Sequence, residues 1–222
     1  MSYEDYIESI KEMEKQLDNL NNLRLKSLDA NKTTLVVIDM VNGFAKEGLL
    51  SSDRVKNIIP NIAKLTDSCN DKGIKTTAIR DQHTESSNEV KRLGKHCIKN
   101  SGEEELVDEL KGKFDKVLPK DTINSALNEK IIIKLLTTIY KSDLIFAENI
   151  IVVGCMTDIC IYNFVATLRA MLDRFGDDIN IYIPINYVET YDFSYHNADL
   201  FNTIFLTALK DYGIKLVKEI EA

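Results

Sequence analysis

The segment that most constrains the fold is an apolar run that ends in a short turn carrying a cysteine. Residues 150–153 read Ile-Ile-Val-Val, which is typical of a strand buried on both faces of a parallel sheet. The turn from Gly154 to Cys160 follows, and the apolar periodicity from Tyr162 to Leu172 predicts a helix. Ligands of open α/β sheets bind outside the carboxyl ends of the strands, and a helix N-terminus favours a thiolate. The sequence therefore predicts a nucleophilic thiol at Cys160.

Two further strands are predicted to end at the same edge with a polar side chain. The run from Thr34 to Ile38 is apolar and β-branched, and Asp39 follows it directly. Lys120 follows a shorter run over residues 116–119. Because the carboxyl ends of parallel strands lie at one edge of a sheet, we expect a Cys, an Asp and a Lys to come together there.

The chain as a whole alternates strand-like and helix-like segments with short connections, the pattern of a doubly wound α/β fold. We expect a mostly parallel six-stranded sheet with helices on both faces. A helix is predicted from Ile131 to Tyr140, and the long loop from Asp81 to Ser101 has no clear periodicity, which in a compact domain usually indicates function. The predicted strands lie near residues 34–39, 74–79, 116–118, 149–155, 179–183 and 214–217.

Composition favours one soluble domain and excludes several classes of partner. The 222 residues are 44% hydrophobic and 28% charged, enough for one sizeable core. The net charge of −7 argues against nucleic acid, which requires a basic surface. Since the first residues are acidic and no apolar stretch is long enough to cross a bilayer, we expect a cytoplasmic protein without a membrane partner. The four cysteines lack a zinc-knuckle spacing and are expected to be reduced.

The order Asp39, Lys120, Cys160 resembles that of the cysteine hydrolases of the isochorismatase-like superfamily. The resembling segments are VVIDMVNGF (residues 36–44), VLPKDTINSAL (117–127) and VVGCMTDICI (152–161). The similarity covers residues 33 to 220, or all but the N-terminal extension. We therefore expect an N-terminal helical extension over residues 1–30 and an isochorismatase-like hydrolase domain over residues 31–222.

A further segment is similar to the nicotinamidase branch of this superfamily. Asp81 and His83 follow a predicted strand, and His96 comes a dozen or so residues later. Carboxylate and imidazole together suit zinc, manganese or iron; zinc is the first expectation, and the sequence alone does not choose. In the resembling enzymes this metal binds the pyridine nitrogen of the substrate, often with one more protein ligand. Glu89 is the first candidate for that ligand here and Glu85 the second.

The resemblance also implies a role for each residue at the sheet edge. Cys160 would attack a carboxamide carbon, Asp39 would take the thiol proton, and Lys120 would hold the charges in place. The N–H groups of Met156 and Cys160 would form the oxyanion hole, and the peptide bond before Met156 would be cis.

The expected function is hydrolysis of nicotinamide to nicotinate and ammonia through a cysteine acyl-thioester, in NAD salvage. Phe44 and Cys155 are expected to border the substrate, with the thiol of Cys155 packed rather than reactive. A related hydrolase of another small amide or ureido compound is one alternative, and it would not need the metal ligands. A non-catalytic metal-bound scaffold, whose N-terminal helix recruits a partner, is the other.

Residues 3–25 form a segment of a different kind. Their apolar side chains recur at steps of three and four, which predicts an amphipathic helix. Its apolar face could pack across its own domain or against a second subunit, and the sequence leaves both open, although we expect a homo-oligomer. The apolar positions are Tyr3, Ile7, Ile10, Met13, Leu17, Leu20 and Leu23.

Two expectations concern the surroundings of the thiol. Thr157 and Asp158 precede the helix behind Cys160 and are expected to cap its N-terminus. His196 opens the last predicted helix and has no acidic or histidine neighbour at ligand spacing. We expect His196 to be structural.

Overall fold

The fold is built on a parallel sheet whose strands run in the order β4-β3-β2-β5-β6-β8, with the short β7 paired to the end of β5. The computed structural model describes residues 2–128, 130–131, 147–176 and 178–221. All six predicted strands are confirmed, and β7 is a seventh. The strands of this sheet are β2 (Thr33–Ile38), β3 (Lys75–Asp81), β4 (Lys116–Lys120), β5 (Asn149–Cys155), β6 (Asn180–Pro184), β7 (Val188–Glu189) and β8 (Lys215–Val217).

A second, two-stranded parallel sheet joins β1 (Leu23–Arg24) to β9 (Ile220–Glu221). The helices of the described residues are α1 (Tyr3–Asp18), α2 (Asn42–Ala45), α3 (Asp53–Asn57), α4 (Ile59–Lys72), α5 (Asn88–Leu93), α6 (Tyr162–Phe175) and α7 (Ala198–Asp211). A π-helical turn, Thr157–Ile161, precedes α6.

Alternate residues of the central strand β2 enter two separate hydrophobic cores, which is why the strand is apolar throughout. Val36 and Ile38 pack in the core that includes residues of α6 and α7. Leu35 and Val37 pack in the opposite core, which includes residues of α4. The sheet is therefore covered by helices on both faces, and the doubly wound α/β fold is confirmed.

The register of the strands aligns their carboxyl ends. Ile38 of β2 pairs with Gly154 of β5, and Asp81 of β3 pairs with Lys120 of β4. Gly154 has a φ of 119°, and a Cβ at this position would lie 2.0 Å from the carbonyl oxygen of Ile38. Only glycine lets the two strands approach so closely at the point where the turn to Cys160 begins.

The N-terminal helix α1 ends at Asp18, earlier than the predicted end at residue 25. Its last turn packs on its own domain: Leu17 is buried, and the side chain of Gln16 accepts a hydrogen bond of 2.8 Å from Lys210 at the end of α7. At the other end of the helix, the side chains of Tyr3 and Tyr6 are 76% and 55% exposed. Packing across its own domain therefore accounts for the C-terminal part of α1, and a subunit contact through its exposed start stays a prediction.

The helix predicted from Ile131 to Tyr140 falls almost wholly on residues 132–146, which lie outside the described residues. At its start, the side-chain oxygen of Asn128 accepts hydrogen bonds from the backbone N–H groups of Lys130 and Ile131, as expected of a helix cap. Within the described ranges, no helix has both the length and the apolar character needed to span a membrane.

Candidate active site

Asp39, Lys120 and Cys160 come together at the carboxyl edge of the sheet, as the sequence predicts. Asp39 directly follows β2 in a left-handed conformation, with φ 57°, which Asp tolerates better than most residues. Lys120 ends β4, and Cys160 lies on the π-helical turn after β5. The ammonium nitrogen of Lys120 lies 3.0 Å from Oδ2 of Asp39 and 2.7 Å from Oδ1 of Asp81. One buried lysine therefore pairs with two buried carboxylates.

Burial and neighbouring charges together determine the protonation of the three groups. Burial raises the pKa of Asp39 to about 6, although the positive charge of Lys120 acts in the opposite direction. For Lys120, burial lowers the pKa, but the negative charges of Asp39 and Asp81 outweigh it and raise the pKa well above 10.5. Asp39 and Lys120 therefore form a charged pair near neutral pH.

The thiol of Cys160 is protonated in the resting protein, which differs from the thiolate expected at a helix N-terminus. Burial raises its pKa well above 9, Lys120 opposes this, and the carboxylates of Asp39 and Asp81 add to it. The thiol lies beside the carboxylate of Asp39, whose two oxygens have no hydrogen-bond partner of regular geometry among the described residues. A neutral thiol beside a carboxylate needs that carboxylate as a base before it can act as a nucleophile.

Cys155 and Met156 link the sheet to the turn, and the peptide bond between them is cis, as the resemblance implied. The thiol of Cys155 is fully buried and donates to the carbonyl oxygen of Asp39 at 3.2 Å. Cys155 is not among the described residues that line the cavity, and its contact with a substrate stays a prediction. Met156 lies at the cavity wall.

Four side chains near Lys120 converge as a metal site would require. One ligand atom from each of Asp81, His83, Glu89 and His96 lies within 4.8 Å of the others, and all four residues are buried. Nε2 of His83 lies 2.9 Å from Oδ2 of Asp81 and 3.8 Å from Oε1 of Glu89. Nε2 of His96 lies 3.4 Å from the same aspartate oxygen and 3.9 Å from the same glutamate oxygen.

Surrounding hydrogen bonds orient these ligands. Nδ1 of His96 donates to the carbonyl oxygen of Gly94 at 2.8 Å, which leaves Nε2 with a free lone pair. Oε2 of Glu89 accepts from the backbone N–H of Ile123 at 3.1 Å, which leaves Oε1 facing the histidines. The other candidate, Glu85, is exposed and paired with Lys95 at 2.8 Å. The geometry therefore selects Glu89.

The long loop that holds these ligands is partly helical, which its sequence pattern did not predict. Glu89 lies on the short helix α5, whose cap is Ser87: the hydroxyl accepts from the N–H of Glu89 at 3.2 Å. His83 and Ile98 form an isolated parallel bridge, so the two ends of the loop lie side by side. This pairing brings His96 back to the strand end that carries Asp81 and His83.

Cys160 and Lys120 share one cavity of about 650 Å³ with three residues of the ligand cluster, Asp81, Glu89 and His96. Its volume lies in the range of pockets for small organic ligands. Phe44, which the sequence predicted at the mouth, is 6% exposed and lines this cavity with its ring centroid 6.1 Å from that of His96. Polar and charged lining residues include Asp81, Glu89, His96, Lys120 and Cys160, and other lining residues include Leu93, Ile123, Met156, Ile159, Tyr191 and Phe193.

One wall of the cavity comes from the segment 188–199, which the sequence did not connect with the site. Arg54 of α3 forms ion pairs with Glu189 at 3.2 Å and with Asp192 at 3.6 Å, and it also pairs with Asp199. These contacts join the segment to the opposite wall, where Arg54 itself lines the cavity. In the sequence, an arginine between Asp53 and Val55 gives no signal of this long-range role.

Asp158 does not cap the following helix, so that prediction is wrong. Its Oδ1 accepts a hydrogen bond of 2.6 Å from the hydroxyl of Thr190, and its Oδ2 lies 2.9 Å from Nε2 of His196. The carboxylate therefore ties the turn of Cys160 to the segment 188–199. Its partner His196 lies 38 residues further along the chain, beyond the reach of any local pattern.

Comparison with known proteins agrees with this architecture. The model of the isochorismatase domain family matches residues 33–208. A search of curated proteins gave no match. Among solved structures, a nicotinamidase/pyrazinamidase from Bacillus subtilis has a TM-score of 0.69 and 19% identity, covering 84% of this chain and 99% of that one.

Two other structures are similar to the same extent. N-carbamoylsarcosine amidase from Thermoplasma acidophilum has a TM-score of 0.65 and 19% identity, covering 84% of this chain and 96% of that one. A pyrazinamidase from Pyrococcus horikoshii, determined in complex with zinc, has a TM-score of 0.63 and 21% identity, covering 84% of this chain and 99% of that one. At these identities the likeness is one of fold.

Proposed function

The chain belongs to the isochorismatase family of hydrolases, and we propose that it is a metal-dependent amidohydrolase converting nicotinamide and water to nicotinate and ammonia. The observation that carries the proposal is the position of two clusters in one cavity. Cys160 lies beside a buried Asp39–Lys120 pair, and Asp81, Glu89 and His96 of the ligand cluster line the same cavity as Cys160 and Lys120. A flat ring with a carboxamide at one end and a nitrogen at the other could use both.

The ligand cluster fits a divalent cation. Oδ2 of Asp81 and Nε2 of His83 are buried and, among the described residues, have no hydrogen-bond partner of regular geometry, although they lie 2.9 Å apart. When the proton of His83 is on Nδ1, these two atoms are buried acceptors that face each other, which is costly unless a cation lies between them. Two imidazoles and two carboxylates suit zinc first, and manganese or iron also. When bound, the ion would hold the ring nitrogen of the substrate and so orient the carboxamide.

The first half of the proposed reaction forms an acyl-enzyme. Asp39 takes the proton of the Cys160 thiol, and the sulfur attacks the carboxamide carbon. The N–H groups of Met156 and Cys160 stabilise the negative charge on the oxygen, and losing one such donor would raise the barrier by about 3 kcal/mol. Lys120 keeps the charge of Asp39 balanced in the buried site. Asp39 then returns the proton to the departing nitrogen, which leaves as ammonia while the acyl group stays on Cys160 as a thioester.

The second half hydrolyses the thioester. Asp39, again ionised, takes a proton from water, whose oxygen attacks the same carbon. The C–S bond breaks, the sulfur recovers a proton from Asp39, and the product leaves as nicotinic acid, which loses its proton to water and becomes nicotinate. The same residues act in both halves, and no redox partner is needed.

A hydrolase of another small amide or ureido compound remains the second candidate. Its chemistry would use Asp39, Lys120 and Cys160 in the same way, and N-carbamoylsarcosine amidase has the same fold. Such a substrate offers no ring nitrogen to a cation, so the buried ligand cluster favours nicotinamide. A non-catalytic scaffold is less well supported, because it would not require a thiol beside a buried ion pair.

Ammonia release tests the proposal directly. The purified protein is loaded in turn with zinc, manganese and iron(II) and assayed with nicotinamide and with N-carbamoylsarcosine, with a chelator-treated sample as the control. We expect turnover of nicotinamide that depends on the metal. Turnover of the ureido compound alone would instead support the second candidate, and no turnover of either would support the scaffold.

A further inference from the structure

His196 is buried in a setting that fixes the state of both its ring nitrogens. Nδ1 lies 2.7 Å from the carbonyl oxygen of Tyr191, and Nε2 lies 2.9 Å from Oδ2 of Asp158. The ring is stacked between the rings of Tyr191, at 4.1 Å and 5°, and Phe201, at 3.8 Å and 30°. Only 6% of the residue is exposed.

Both neighbours of the ring are acceptors. A carbonyl oxygen only accepts, so Nδ1 carries a hydrogen. The carboxylate of Asp158 already accepts from the hydroxyl of Thr190 through Oδ1, and its Oδ2 faces Nε2. Nε2 therefore carries a hydrogen too, and His196 is an imidazolium paired with a carboxylate. The two aromatic faces that enclose the ring favour its positive charge.

This pair connects the cavity wall to the turn of the thiol. Asp158 lies on the π-helical turn two residues before Cys160, and Tyr191 lines the cavity. Glu189, in the same segment, lies on strand β7 and is the strand partner of Cys155 at the end of β5. If Nε2 lost its proton, its lone pair would face the carboxylate of Asp158 at 2.9 Å, and the attraction that joins the two segments would be lost.

The other carboxylates near the pair of Asp158 and His196 form ion pairs with an arginine. Among the described residues, Glu189 and Asp192 of the segment and Asp199 of α7 all pair with Arg54. Tyr191 contacts the imidazolium through its ring and its carbonyl group. Asp158 is therefore the carboxylate that forms an ion pair with His196.

We propose that His196, in its doubly protonated form, is a positioning residue that holds the turn of Cys160 in place through Asp158. Its effect on turnover rests on the proposed function, but its protonation and its effect on the thiol do not. Because a misplacement of about 1 Å can cost roughly 100-fold in rate, loss of the pair should lower kcat while the distant metal ligands keep the ring nitrogen bound.

The test compares His196→Gln with Tyr195→Ser, a neighbour that is 87% exposed and outside the cavity. We expect His196→Gln to lower kcat for nicotinamide by roughly 10- to 100-fold, with KM and metal content unchanged, and Tyr195→Ser to behave as the wild type. Glutamine can still donate a hydrogen bond to Asp158 but carries no positive charge, so the loss in kcat measures what the charged pair contributes. A raised KM with normal kcat, or an unchanged kcat, would overturn the proposal.

Two measurements decide the matter without nicotinamide turnover. Alkylation of Cys160 by iodoacetamide should be several-fold slower in His196→Gln than in Tyr195→Ser. Nitrogen-15 NMR of the wild-type protein, labelled at its three histidines, should show one doubly protonated ring at neutral pH that is absent from the His196→Gln spectrum. A neutral ring at His196 in the wild type would overturn the proposal even if the variant failed to fold, whereas failure to hydrolyse nicotinamide would overturn only the proposed function.

Discussion

Lys120 holds Asp39 as an ion pair, with 3.0 Å between the ammonium nitrogen and Oδ2, at a position where both side chains are buried. Burial nevertheless raises the pKa of Asp39 to about 6. The carboxylate is thus ionised above that pH and protonated below it, and a protonated Asp39 cannot accept the thiol proton.

We therefore expect kcat/KM to fall as the pH decreases through about 6, with a slope of about tenfold per unit. The rate of alkylation of Cys160 by iodoacetamide should fall over the same pH range, because this reaction needs the base but not the metal ligands. Asp39→Asn should abolish turnover at every pH. A profile that stays flat well below pH 6 would show that another group takes the proton.

Replacement of the proposed nucleophile should remove activity without unfolding the protein. We expect Cys160→Ala to abolish ammonia release from nicotinamide, because Cys160 is the only cysteine among the described residues that line the cavity. The control is Cys69→Ala, a buried cysteine of α4, which should retain nearly full turnover. Full activity in the Cys160 variant would exclude the acyl-thioester.

The ligand cluster should control substrate binding and not the thiol. His96→Ala or Glu89→Gln should lower the metal content and raise KM for nicotinamide, or abolish turnover, while iodoacetamide still alkylates Cys160. Glu85→Gln, which changes an exposed carboxylate of the same loop, should leave both unchanged. Metal content is read by elemental analysis of the purified variants, and normal metal in Glu89→Gln would remove that residue from the set.

A comparison of two substrates tests whether the metal binds the ring nitrogen. Benzamide has the shape of nicotinamide without its ring nitrogen, so it would lack the contact that orients the carboxamide for attack. We expect kcat/KM on the metal-loaded enzyme to be far lower for benzamide than for nicotinamide and its 5-substituted analogues. Equal values would mean that the metal does not bind the ring.

The close approach of two strands at Gly154 should be sensitive to a single methyl group. Gly154→Ala adds a Cβ only 2.0 Å from the carbonyl oxygen of Ile38 in a left-handed conformation, so we expect a loss of about 3 kcal/mol or more in the free energy of unfolding. Gly73→Ala is the matched control: its φ is also positive, at 78°, but no atom lies near the added Cβ. That variant should lose about 1 kcal/mol. Equal losses, measured by denaturant unfolding, would show that backbone strain alone matters.

The strand ends that carry the site could be predicted from the sequence because buried parallel strands are continuous apolar runs. Asp39, Lys120 and Cys155 each end such a run, and the sheet brings them together wherever the helices lie. The short strands β1, β7 and β9 could not be predicted, since two residues show no periodicity.

Contacts between residues that are distant in the sequence could not be predicted from local patterns. Asp158 looks like a helix cap in isolation, and only the folded chain brings His196 to it and makes the hydrogen bond that replaces a cap. In the same way, the sequence offers both Glu89 and Glu85 as a metal ligand. In the fold, the hydrogen bond from the backbone N–H of Ile123 fixes the orientation of Glu89 alone.

The small sheet of β1 and β9 sets an order of events during synthesis. Asn22, next to β1, donates a hydrogen bond of 2.9 Å to Glu221, which is 199 residues further along the chain. The ribosome makes Leu23 long before its strand partner Ile220, so the N-terminal segment must wait for nearly the whole of this chain to emerge before it can dock. The N-terminal segment is therefore among the last parts of the chain to dock on the domain. Until it docks, the apolar face of α1 is exposed and could bind a chaperone.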